Sequence, residues 1–222
     1  MPSRALLIAF ALAAVGAAQE HVPFPTQDGG IVCADLYGKA DRGVVLAHGG
    51  RFTKESWEKQ ARQLEAAGFR VLAIDFRGEG QSRGGTGLPP GDDGYRYDVL
   101  AAVRYLRQSG AKTVSVVGGS FGGTAAGEAS IEAKPGEIDR LVLLAAWVDT
   151  PEKLKGRKLF IVARDDANDD GPRLPKIRAN YKKAPEPKQL IVVDGSAHAQ
   201  FLFQTDQGER VMHEILRFLS AP

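Results

Sequence analysis

A single cysteine, Cys33, in 222 residues has no partner for an intrachain disulfide, so the apolar core must hold the fold unaided. Charge of one sign is missing too. The 29 Lys and Arg and 27 Asp and Glu leave a formal net charge of +2, too weak a field to select a polyanion. The basic residues are scattered rather than interleaved with aromatics, and no nucleic-acid partner is expected. Long apolar runs are scarce. The longest, Ala5 to Val15, has 11 residues, short of the roughly 20 that span a bilayer core. Arg4 precedes it and Gly16, Ala17 and Ala18 follow, the pattern of an export leader cleaved near Ala18. The expectation is a leader over residues 1–18, one domain over 19–222, and a periplasmic or secreted protein with no stable membrane insertion after cleavage. Cys33, inside a predicted strand, reads as core packing.

What is present is an ordinary globular composition, 43% apolar and 25% charged, long enough for one sizeable core. Apolar runs alternate with amphipathic stretches. Gly43 to Ala47, Arg70 to Asp75, Thr113 to Val117, Ile138 to Ala145, Leu159 to Ala163 and Leu190 to Val193 read as buried strands. Helical spacing marks Lys54 to Ala67, Tyr97 to Gln108, Gly122 to Ala133 and about Gln207 to Leu219. Val22 to Phe24 and Ile31 to Leu36 flank Asp28-Gly29-Gly30, a hairpin signal. The alternation predicts an α/β fold with a mostly parallel central sheet, helices on both faces and an N-terminal antiparallel hairpin. The longest irregular stretch, Gly78 to Gly94, is the kind of loop usually kept for function.

The chemical signal is Gly118-Gly119-Ser120-Phe121-Gly122, a G-x-S-x-G between a strand and a helix. A sharp strand-to-helix turn leaves no room for larger residues at Gly118 or Gly122 and projects the serine at a helix N-terminus, where negative charge is favoured. Serine needs a base to act as a nucleophile. Of His21, His48, His198 and His213, His198 follows the last strand, at the sheet edge where parallel strands all end. A carboxylate should orient that imidazole. Asp165, Asp166, Asp169 and Asp170 follow the strand ending at Ala163, and Asp149 offers a second location; chemistry alone leaves the choice open. Oxyanion donors are expected from the Phe121 amide and from the turn after His48, at Gly50 or Arg51.

Taken together, His48-Gly49-Gly50, Asp75-Phe76-Arg77-Gly78-Glu79-Gly80-Gln81-Ser82, Gly118 to Gly122, and the order Ser, Asp, His resemble the α/β-hydrolase superfamily, over nearly all the chain after the leader. The nearest look is to compact members similar to dienelactone hydrolase and small carboxylesterases. The resemblance implies a serine hydrolase of small esters, lactones or thioesters that needs no cofactor. It also implies Asp166 as the acid, from a "G-x-x-D" segment in which Ala163 replaces Gly, with Asp165 and Asp169 still in play. It makes His48 a support of the oxyanion turn, with Gly50 as the second donor. Only Ala146 to Arg157 lies where many relatives insert a lid, so an open site without a cap domain is expected. Arg51, Phe52 and Trp147 are candidate substrate contacts; Phe121 and Phe201 are further aromatic candidates. The competing classes are a serine peptidase and a binding protein on a hydrolase scaffold. Asp166 to Gly171 fits the opening of a calcium loop but has Ile177 at its twelfth position, and no metal is expected.

Overall fold

Along Val44-Val45-Leu46-Ala47 successive side chains point to opposite faces of a strand, and all four are buried. Such a strand needs covering layers on both sides. The structure, a computed structural model describing residues 19–222, provides them. The expected leader, residues 1–18, lies outside the described residues.

The elements in chain order are β1 (Glu20–Pro25), β2 (Ile31–Tyr37), β3 (Arg42–Ala47), α1 (Glu58–Ala66), β4 (Arg70–Ile74), α2 (Tyr95–Gln108), β5 (Thr113–Gly119), α3 (Phe121–Glu132), β6 (Arg140–Leu144), β7 (Arg157–Ala163), β8 (Ala167–Asn168), β9 (Gly171–Pro172), α4 (Leu174–Lys183), β10 (Lys188–Val193) and α5 (Gly208–Ser220). Eight strands form one sheet in the order β1-β2-β4-β3-β5-β6-β7-β10. The β1–β2 and β2–β4 pairs are antiparallel, and the remaining pairs are parallel. On one face Val45 and Ala47 pack with residues of α2, α3 and α4; on the other, Val44 and Leu46 pack with α1 and α5.

The order of strands decides where a site can form. After β3 the chain crosses to β4 on one side, then returns to place β5 on the other. Connections therefore diverge between the C-terminal ends of β3 and β5, leaving a crevice there. His48 and Gly49 follow β3 at that crevice, and Ser120 follows β5.

The segment read as one helix from Lys54 begins as a 3-10 turn over Lys54–Trp57 before α1. The short β8–β9 pair and α4 were not expected from the sequence. The Gly78–Gly94 loop does not line the crevice. It folds back on the hairpin, pairing Arg83 with Ile31 and pressing Gly85 against the Asp28 carbonyl, so Gly85 answers to packing. Between β6 and β7 the chain makes only a short 3-10 turn, Pro151–Lys153, and carries no cap. Among the described residues no helix is long and apolar enough to cross a membrane.

Candidate active site

Ser120 sits between β5 and α3 with φ 51° and ψ −120°, a conformation that side chains other than glycine rarely adopt. The surroundings impose it. The Ser120 amide donates to the Leu144 carbonyl on β6 (2.8 Å), while the Ser120 carbonyl accepts from Gly123 and Thr124 as α3 begins. A Cβ at Gly122 would press into the carbonyls of Ala47 and His48, and one at Gly118 into the backbone of Gly122 and Gly123. The glycine spacing is thus a steric demand of strand and helix in contact.

His198 arrives from the loop after β10. Its Nε2 lies 2.7 Å from Ser120 Oγ, and its Nδ1 lies 2.7 Å from Asp166 Oδ2. An ionised carboxylate only accepts, so Nδ1 carries the hydrogen and Nε2 presents its lone pair to the serine hydroxyl. Asp166 is 1% exposed and His198 27%: the acid is shielded from water while the imidazole reaches the surface. The neighbouring carboxylates Asp165, Asp169 and Asp170 point outward and are exposed.

The turn after β3 faces the serine. Phe52 N–H donates to Gly49 O (3.0 Å), closing a tight turn with Gly50 and Arg51 at its centre. Gly50 lies against Phe121, where an added Cβ would stand 3.8 Å from the Phe121 Cβ. Among the described residues neither the Gly50 nor the Phe121 N–H donates to a protein acceptor, and both residues line the same cavity as Ser120 and His198. His48 braces the turn. Its Nε2 accepts from Phe76 N–H (3.2 Å), so the proton is on Nδ1, which donates to Gly49 O at 2.9 Å. Burial pushes the His48 pKa below its ordinary 6.5, against a smaller opposing effect of the Gly49 hydrogen bond.

Gln200, which sequence reasoning passed over, ties the two loops together. Its Oε1 accepts from Gly49 N–H (2.6 Å), and its Nε2 donates to Ser56 Oγ (2.7 Å). Glutamine two residues after the histidine carries no motif, and only its burial against Gly119 reveals it. Arg173 was missed likewise. Its Nε stands 3.2 Å from Asp166 Oδ1.

The cavity holds about 500 Å³ and is partly open to solvent; Phe52 and Phe201 pack against each other along its wall, their rings 5.0 Å apart. Arg51 and Phe52, the candidate substrate contacts, line it. Trp147, expected beside them, is not among the lining residues. Its ring packs one layer back, under Lys176 Nζ at 4.2 Å and the Arg173 guanidinium at 5.8 Å. Arg173 lines the cavity too, and the remaining wall and floor are apolar: Phe121, Ala167, Ala199 and Phe201.

Residues 38–174, more than half of the chain, match the model of the serine aminopeptidase S33 family. The chain belongs to that family of α/β hydrolases. An AB hydrolase superfamily protein, YisY of Bacillus subtilis, is 31% identical over 109 residues, covering 47% of this chain and 38% of YisY. This S33-family chain spans less than half the length of the curated relatives it matches. Among solved structures, a predicted CIB-like hydrolase from Thermoplasma acidophilum superposes with TM-score 0.72 at 22% identity, covering 91% of this chain and 98% of that one. The Pyrococcus furiosus esterase Pf2001 superposes with TM-score 0.72 at 19% identity over 99% of both chains. These likenesses establish the α/β-hydrolase fold of the chain and its mixed sheet with an N-terminal antiparallel pair.

Proposed function

We propose that this protein hydrolyses carboxylic esters of small substrates through Ser120, His198 and Asp166. The observation carrying the reading is the unbroken run from Asp166 Oδ2 through the imidazole to Ser120 Oγ, each link 2.7 Å. Ser120 Oγ attacks the ester carbonyl as His198 Nε2 takes its proton. The Phe121 and Gly50 amides receive the oxyanion. The C–O bond then breaks, the alcohol leaves with the proton from His198, and an acyl-Ser120 ester remains. Water attacks that ester, again giving its proton to His198, and the acid departs as Ser120 regains its hydrogen. Asp166 holds the imidazole in the required tautomer and balances its charge during both halves.

The family's name raises an aminopeptidase as the alternative. An aminopeptidase must pair the free α-ammonium group of its substrate, and that calls for a carboxylate in the cavity. The charged groups lining this one are Arg51 and Arg173. Asp166 is buried and engaged with His198. An ester is therefore the better fit, and the open mouth without a cap suits short acyl groups.

Turnover of 4-nitrophenyl acetate, butyrate and decanoate and of alanine 4-nitroanilide separates the readings. The short esters are expected to be the best substrates. Ser120→Ala is expected to lower kcat by roughly 10⁴ or more, and Asp166→Asn by about 10⁴. Undiminished ester turnover by Ser120→Ala overturns the proposal, and faster cleavage of the anilide favours the peptidase.

A further inference from the structure

Asp166 has two carboxylate oxygens, and the reaction proposed above uses one of them. Oδ2 accepts from His198; Oδ1 is buried and makes no hydrogen bond among the described residues. The group facing it is Arg173 Nε, at 3.2 Å, within ion-pair reach but off the hydrogen-bonding angle. Arg173 Nε is itself buried without a hydrogen-bond partner. Two unsatisfied groups of opposite charge thus confront each other behind the imidazole. An unpartnered buried carboxylate oxygen is costly, and a fixed cation offsets that cost.

The chain is built to hold this confrontation. Asp166 and Arg173 bracket the β8–β9 hairpin, and Arg173 N–H donates to the Asp166 carbonyl at 2.8 Å. The hairpin turns at Asp169 and Asp170 and enters β9 at Gly171, whose φ of 103° suits glycine. From the far side the Trp147 ring supports the guanidinium. The other nearby arginine, Arg164, is at the surface and pairs with Asp194 instead.

We propose that Arg173 is a positioning residue for Asp166, and through it for His198. This rests on the hydrolase reading. A guanidinium stays charged at any working pH, so it holds the carboxylate fixed in rotation while the imidazole gains and loses its proton. The side chain is 17% exposed, and it also lines the substrate cavity. The test must therefore separate orientation of the acid from recognition of the substrate.

Arg173→Met keeps an apolar stem over Trp147, Arg173→Gln keeps polarity, and Arg173→Lys keeps the charge. Each is assayed on the neutral ester 4-nitrophenyl butyrate and for its rate of labelling by a fluorophosphonate, with melting temperature as a check on folding. Measuring Met and Gln in parallel leaves one variant if the other fails to fold. The expected result is a fall of about tenfold to hundredfold in both kcat and labelling rate, with KM within about twofold and partial recovery in Arg173→Lys. Wild-type kcat in Met or Gln, or a loss confined to KM, overturns the proposal while leaving the hydrolase reading intact. Absence of turnover and labelling in the wild type overturns both.

Discussion

His48 shows how one buried side chain can fix the geometry of a site from behind. Both of its nitrogens are spoken for, by Phe76 N–H and Gly49 O. Protonating Nε2 would set two donors against each other in a buried place, consistent with a pKa pushed below the ordinary 6.5 by burial. The unfolded chain therefore binds a proton at this residue more readily than the folded one. Its contribution to stability is complete above pH 6.5 and is lost as pH falls toward the depressed folded value. Denaturant melts across that window should show stability declining with acid. The decline should be shallower in His48→Gln, and equal slopes in the two proteins would count against the account.

At the scale of elements, α4 (Leu174–Lys183) depends on one polar residue. Asn180 is buried and clasps Val148 twice, accepting from its N–H (3.0 Å) and donating to its carbonyl (2.8 Å). Asn180→Ala leaves two backbone groups unpaired and should cost about 1–3 kcal/mol in chemical denaturation; an unchanged midpoint would contradict this. The same clasp explains why α4 escaped the sequence reading. Its inward face is Leu174, Ile177 and Asn180, so the apolar period breaks where the helix is anchored. The parallel strands were legible because Val, Leu and Ile fill both faces of each. The glycine-framed serine was legible because steric exclusion writes itself as composition. His198 could be placed because a loop after a parallel strand has only one edge to reach. Which carboxylate meets it was not legible, since four aspartates crowd one loop and only the fold buries Asp166 and turns the others out. Gln200 acts through Gly49 and Ser56, far away in sequence, and Arg173 meets Asp166 only because the β8–β9 hairpin folds the chain back, so no local pattern marks either.

Across the whole molecule the central ionic joint is Arg77. Its guanidinium reaches Asp98 on α2 (2.6 Å) and Asp28 in the β1–β2 turn (2.8 Å), with all three side chains buried. It thereby fastens the antiparallel hairpin and the Gly78–Gly94 loop to the parallel body. Arg77→Met strands two buried carboxylates and should cost about 3–5 kcal/mol. A loss under about 1 kcal/mol would show the joint to be dispensable. The body held in this way has its open crevice at the divergence of β3 and β5, and the hydrolase proposal rests on what happens there. Intact-mass spectrometry after exposure to a fluorophosphonate tests it most directly. A single adduct is expected, mapped by peptide analysis to Ser120, and lost in Ser120→Ala and in His198→Ala. A folded wild-type protein that stays unlabelled, or an adduct on another residue, would contradict it.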